Sequence, residues 1–259
     1  MTQHRARKRF GQHFLTDPQA IDDILRAINA SSDDHIVEIG PGQGALTNAL
    51  AQRAGQLTLV ELDRDLVARL QQRYVGHPHV TIVSGDALKV DFSALGSSLR
   101  IVGNLPYNIS TPLLFHLSAA LAHTTDMHFM LQKEVVDRIC ATPGNKQYGR
   151  LSVMLQCCFE PLALFDVGPA AFDPPPKVDS AVIRLTPRAQ IAPITRTPLF
   201  ERLVRDAFSQ RRKTIRNTLR QHLSAEQIVA AGADPQARAE TLDVGQFVQL
   251  TAAASAAPN

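Results

Sequence analysis

The strongest constraint on this chain is a series of five short apolar runs, most of them separated by stretches with helical spacing. The runs are "HIVEIG" (35–40), "LTLVELD" (57–63), "HVTIVSGDAL" (79–88), "LRIVGNLPY" (99–107) and "MHFMLQ" (127–132). Between them "GALTNALAQRAG", "RDLVARLQQRY" and "STPLLFHLSAALAH" carry helical patterns. Antiparallel neighbours need only a tight turn, whereas parallel neighbours need a long crossover, usually a helix. The alternation therefore predicts an α/β domain with a mostly parallel sheet and helices on both faces. A further helix is predicted ahead of the first run, in "TDPQAIDDILRAINA", with Asp17 as N-cap, Pro18 at the first helical position and an apolar stripe at Ile21, Ile24, Leu25 and Ile28.

The pattern changes after about residue 160. "LALFDVGPAAFDPPPKVDSAVIRL" predicts two strands, 162–167 and 181–185, forming an antiparallel edge hairpin around a proline-rich loop. Residues 186–198 read as a linker, and from Leu199 the remainder reads as wholly helical. The expected division is a catalytic domain over 1–187 and a small all-α domain over 188–259.

In open parallel sheets, ligands bind beyond the carboxyl ends of the strands. Gly40, Glu61, Asp86 and Asn104 all fall at such ends. In "VEIGPGQGALT", glycines 40, 42 and 44 allow a sharp turn and close approach to a ligand. The helix beyond is expected to add free N–H groups. Glu61 ends the next strand, where a carboxylate accepts ribose hydroxyls, and Asp86 is placed to accept from an adenine amine. Two cofactors suit this loop. Gly40-x-Gly42-x-x-Ala45 satisfies a dinucleotide fingerprint. Glu38 just before the loop suits the cationic methionine end of S-adenosylmethionine and opposes a pyrophosphate. An NAD-dependent oxidoreductase also predicts a proton relay such as Tyr-x-x-x-Lys, which the sequence lacks.

"GNLPYNIS" (103–110) supplies acceptor chemistry. The exocyclic amine of adenine is planar and a poor nucleophile. The side-chain oxygen of Asn104 and the carbonyl of Leu105 can hold its N–H groups and favour a pyramidal nitrogen. Pro106 fixes the backbone and Tyr107 offers a stacking face. The rate then comes from positioning and electrostatics.

Charge patterning points to a phosphate-rich partner. The net charge is only +3, but "HRARKR" (4–9) and "RRKTIRNTLR" (211–220) contain no acid. In the second run Arg212, Arg216 and Arg220 recur every four residues, so one helix face is expected to be basic. Arg211, Arg212, Lys213, Arg216 and Arg220 are its candidate RNA contacts. The three cysteines, Cys140, Cys157 and Cys158, show neither disulfide nor zinc spacing and suggest a reduced, cytoplasmic protein without metal. No apolar stretch is long enough to span a membrane, and the basic start is not followed by a signal-peptide core.

Taken in order, "GQHFL", "EIGPGQGALT", "ELD", "GDAL", "NLPYNIS", "LQKEVVDRI", "YGRLSVMLQ", "FDPPPKVDSAVIRL" and "RRKTIRN" resemble the ribosomal RNA adenine dimethyltransferases, most closely the bacterial small-subunit type. The resemblance spans roughly residues 8–250. It implies a Rossmann-like class I methyltransferase fold using S-adenosylmethionine. It also implies dimethylation of N6 on two adjacent adenosines in the 3′-terminal hairpin loop of 16S rRNA, within an immature small subunit. His13, Leu15, Gly40, Glu61, Asp86 and Asn104 match the family's cofactor contacts. Phe172 lies in the loop the family places near the target base. A monomer is expected. The alternatives are a large-subunit rRNA adenine methyltransferase of the antibiotic-resistance type and an assembly factor whose binding role outweighs catalysis.

Overall fold

The computed structural model describes residues 13–256. The basic run at 4–9 and Gln12 lie outside the described residues. The chain forms two compact units: one takes the chain up to Val136 together with Leu162–Pro187, the other Asp137–Pro161 together with the chain from Arg188. The division at Pro187/Arg188 is the one expected, but Asp137–Pro161, expected in the first domain, falls in the second unit. Asp137–Pro161 belongs with the C-terminal segment because its contacts are there: Gly144 N–H donates to the Glu240 carbonyl at 2.7 Å, and Arg150 pairs with Glu201 at 2.9 Å.

The first unit is built on a seven-stranded sheet. Its strands are β2 (His35–Ile39), β3 (Gln56–Glu61), β4 (Val80–Ser84), β5 (Leu99–Asn104), β6 (Thr124–Gln132), β7 (Phe159–Val167) and β9 (Ser180–Pro187), in the order β4-β3-β2-β5-β6-β9-β7. The pairs β4-β3, β3-β2, β2-β5 and β5-β6 are parallel, and β6-β9 is antiparallel. β7 and β9 are neighbours at the edge, each extending past its expected bounds. Two residues on each side form a separate ribbon, in which β1 (Phe14–Leu15) pairs antiparallel with β8 (Phe172–Asp173).

Helix α1 (Pro18–Ile28) precedes β2, and α2 (Thr47–Arg53), α3 (Arg64–Arg73) and α4 (Ser110–Leu117) follow strands as the alternation requires. The Asp17 side chain caps α1 by accepting from Ala20 N–H at 2.8 Å, and Ile24, Leu25 and Ile28 are buried. α2 begins at Thr47, later than the sequence suggests. The left-handed Gly44 (φ +88°) and a Gly44 N–H to Pro41 carbonyl bond prolong the loop first.

At the amino ends of the strands the charges are paired. Arg100 Nη1 meets Asp34 Oδ2 at 2.9 Å, Nη2 meets Asp126 Oδ2 at 2.9 Å, and Nη2 also donates to the Ile28 carbonyl at 2.6 Å. Asp126 is held below the usual carboxylate range: burial works against this, but bonds from His128 and Arg100 outweigh it. The same contest lowers Asp34.

α5 (Lys133–Cys140) leads from the first unit to the second, which holds α6 (Arg150–Gln156), α7 (Pro198–Ala207), α8 (Ile215–Thr218), α9 (Ala225–Ala230) and α10 (Val244–Ala256). Phe200, Leu203, Val204, Phe247 and Leu250 form its interior. It is not wholly helical: long turns intervene, and Thr214 bridges to Arg238 in antiparallel fashion. Nor is "RRKTIRNTLR" one continuous helix, since only Ile215–Thr218 is helical. Ile215 N–H donates to the Ala237 carbonyl and Arg216 N–H to the Pro235 carbonyl, bonds that hold the segment to the chain rather than to a preceding helical turn. Cys157 and Cys158 are buried there and Cys140 is half-buried; none of the three is in a disulfide.

Candidate active site

The carboxyl ends of β2, β3 and β5 converge on one cavity. Among its lining residues are His13, Phe14, Leu15, Glu38, Gly40, Gly42, Glu61, Asp86 and the segment Asn104–Ile109. Every residue expected to contact the cofactor therefore faces one space, together with Asn104–Tyr107.

The glycine loop makes room for this. Gly42 has φ +57°, and a Cβ there would stand 3.2 Å from the Phe14 ring. A side chain at 42 would thus be strained in backbone and pressed against the β1 segment. A Cβ on Gly103 would come within 2.5 Å of the Ile39 carbonyl, so this residue lets β5 lie close to β2 where both reach the cavity. The cavity is lined by the loop, with Gly40, Pro41, Gly42, Gln43, Ala45 and Leu46, rather than by the start of α2.

Two buried carboxylates dominate the electrostatics. Glu61 Oε1 accepts from Asp63 N–H at 2.9 Å and Oε2 from Gly42 N–H at 3.3 Å. Burial nevertheless raises its pKa. Glu38 is 2% exposed, and its Oε2 has no hydrogen-bond partner. Burial pushes Glu38 up to about 7, and the nearby charge of Glu61 adds to this. Asp86 accepts from Leu88 N–H at 3.0 Å through Oδ1, which fixes the side chain at the cavity rim.

The acceptor side is held by contacts distant in sequence. Asn104 Nδ2 donates to the His13 carbonyl at 3.0 Å. Only the amide nitrogen can donate to a carbonyl, so Oδ1 is the atom left for the cavity. His13 Nδ1 donates to the Pro174 carbonyl at 2.7 Å, and its ring stacks on Tyr107 at 5.8 Å and 26°. Tyr107 Oη and Ser180 Oγ share a hydrogen bond at 2.8 Å.

Phe172 is not part of this lining. It is 4% exposed, packed in the core beside the sheet and paired with Leu15. A ring so enclosed is a packing group, which displaces the expectation that it stacks on a base. Arg211 is engaged within its own unit, with Nε donating to Glu240 Oε2 at 2.8 Å and Nη2 to the Lys146 carbonyl. Arg212, Lys213, Arg216 and Arg220 are exposed.

The cavity fits S-adenosylmethionine. Glu61 lines the cavity at the carboxyl end of β3, where its carboxylate can accept from ribose hydroxyls beside its bonds to the Asp63, Gly42 and Leu62 backbone. The unpartnered Glu38 oxygen and the two raised carboxylates favour a cationic ligand and oppose a pyrophosphate.

The sequence model described as ribosomal RNA adenine dimethylase matches residues 3–255. The chain belongs to this family. It is 56% identical over 252 residues to Ribosomal RNA small subunit methyltransferase A of Pseudomonas fluorescens, covering 96% of this chain and 93% of that protein. The same-named protein of Nitrosospira multiformis is 54% identical over 250 residues, covering 96% of each. Among solved structures, a dimethyladenosine transferase from Plasmodium falciparum aligns with a TM-score of 0.77 at 26% identity, over 92% of this chain and 96% of that one. The 23S rRNA methyltransferase ErmE aligns with a TM-score of 0.74 at 27% identity, over 93% and 99%. Both neighbours support the class I methyltransferase fold of the first unit.

Glu38, Leu15 and Asn104 stand out in the motifs themselves. Phe14 lies inside a quoted motif, yet nothing local marks it as a wall of the cavity. Ser180 also lies inside a quoted motif, but nothing local marks its contact with Tyr107, 73 residues away.

Proposed function

We propose that this dimethylase transfers methyl groups from S-adenosylmethionine to N6 of two adjacent adenosines in the 3′-terminal hairpin loop of 16S rRNA. Its substrate is the immature small subunit, and it acts as a monomer in the cytoplasm. The names of the relatives at 54–56% identity favour the small subunit. Among the described residues no helix is long and apolar enough to cross a membrane.

The observation that carries the reading is the polarity of Asn104. With Nδ2 committed to the His13 carbonyl, Oδ1 is a fixed acceptor beside the glycine loop. S-adenosylmethionine supplies an electrophilic methyl on a sulfonium. Glu61 and Asp86 hold the adenosine portion by accepting from its hydroxyls and amine, Glu38 balances positive charge, and His13 and Leu15 close the methionine side. Asn104 Oδ1 and the Leu105 carbonyl accept from the target amine, turning its lone pair toward the methyl. Pro106 fixes that carbonyl, and the ring of Tyr107 supports the base. As the N–C bond forms, the methyl–sulfur bond would break with the sulfur leaving as a neutral thioether, and the amine proton, made acidic, would pass to solvent, so no dedicated base is needed. Arg212, Lys213, Arg216 and Arg220 meet rRNA phosphates.

Transfer of radiolabelled methyl groups to undermethylated small subunits, large subunits and duplex DNA tests the proposal. N6,N6-dimethyladenosine formed with small subunits alone is expected. Label on large subunits assigns the resistance-type activity instead. Cofactor binding without transfer assigns an assembly role.

A further inference from the structure

We infer that Ser180 is a positioning residue for methyl transfer, acting through Tyr107. The inference rests on the reading of Tyr107 as the support for the target base. Ser180 does not line the cavity and is 1% exposed. It opens β9, where it pairs with Gln132 of β6. The next residue of each strand's loop is tied as well, because Lys133 N–H donates to the Asp179 carbonyl at 2.9 Å. Ser180 Oγ therefore stands on a rigid part of the sheet.

The Tyr107 carbonyl accepts from Ser110 Oγ at 3.1 Å, which ties the backbone of the turn but leaves the ring free. Tyr107 lies in the turn between β5 and α4. An aromatic ring in a turn rotates about two side-chain torsions, and fixing its far end removes that freedom. The 2.8 Å bond to Ser180 Oγ does this. Burial raises the Tyr107 pKa, so the phenol stays protonated and keeps its hydrogen to share. Its ring also stacks on His13, whose carbonyl orients Asn104. Ser180 thus sets the plane of the ring beside the amide that holds the reacting amine. A misplaced support lowers the fraction of bound bases in attack geometry, an effect on turnover rather than on cofactor affinity.

The test compares Ser180→Ala, Ser180→Thr, Tyr107→Phe and the Ser180→Ala/Tyr107→Phe double variant with wild type, on undermethylated small subunits at saturating cofactor and subunit. Both single removals of the bond are expected to lower kcat about tenfold. Cofactor Kd, measured by calorimetry, is expected to stay within about twofold. The double variant is expected to be no slower than the slower single one, and Ser180→Thr, which keeps a hydroxyl, to recover most of the rate. Three outcomes overturn the inference: Ser180→Ala with wild-type kcat, losses that multiply in the double variant, or a parallel loss of cofactor binding. A wild-type protein without transfer to small subunits overturns the underlying reading instead.

Discussion

The two ends of the central sheet handle buried charge in opposite ways. At the amino ends, Asp34 and Asp126 flank Arg100, and both carboxyls lie below their ordinary range. At the carboxyl ends, Glu38 and Glu61 are buried at least as deeply, and both are raised. The acids are alike in chemistry; the difference is the cation. One end carries a guanidinium within the chain. The other presents two carboxylates to a cavity, where a cationic cofactor completes the balance. Internal pairing serves the fold, and the missing counter-charge marks the site.

The comparison can be broken most sharply beside the acidic end. Asn104→Ala is expected to lower kcat about 1,000-fold, roughly 4 kcal/mol, while cofactor Kd stays within about tenfold. Single-turnover assays and calorimetry on the same preparation check this; parallel losses would make Asn104 chiefly a cofactor ligand. At the other end, Arg100→Ala leaves two half-buried carboxylates without their partner and is expected to cost about 2 kcal/mol of stability. Denaturant unfolding reads that loss, with kcat per folded molecule unchanged.

Glu38 tests the acidic end directly. Its pKa is raised from 4.5 to about 7, so the folded protein holds a proton there that the unfolded chain releases. Stability from this group is full below pH 4.5 and declines as pH rises to about 7, by about 3 kcal/mol in total. A cationic cofactor selects the ionised form. Its affinity is therefore expected to fall about tenfold per pH unit below about 7. Glu38→Gln should flatten that profile and narrow the gap in melting temperature between pH 5 and pH 8. A wild-type affinity that is level from pH 5 to 8 would refute the charge-balance account.

The smallest effects are expected in the second unit. Alanine at Arg212, Lys213, Arg216 or Arg220 should each weaken rRNA binding a few-fold and lower the slope of log K against log salt by about 1. Arg211→Ala should instead lower stability, because its guanidinium holds Glu240 and the Lys146 carbonyl.

Local patterns revealed the sheet. The apolar runs located β2 to β6, and the glycine loop, Glu61, Asp86 and Asn104 were visible because each sits where a strand ends. Contacts between distant segments were not visible. The packing role of Phe172 depends on Leu15, and the support for Tyr107 depends on Ser180, pairings that no spacing encodes. The basic run misled for a related reason. Its four-residue repeat of arginines has the helical period, but backbone bonds from Ile215 and Arg216 to the 235–237 segment limit the helix to four residues. The same kind of long-range contact draws Asp137–Pro161 into the second unit, where a linear reading leaves it with the first.

The β1–β8 ribbon also orders events during synthesis. Phe14 and Leu15 are among the first described residues made, yet their strand partners are Asp173 and Phe172. The glycine loop, Glu61 and Asn104 leave the ribosome long before those partners exist. A nascent chain at that stage has the floor of the cavity without its wall, and no His13 carbonyl fixed against Asn104. Competence to bind and align therefore waits until Phe172 and Asp173 have been made and the ribbon can close.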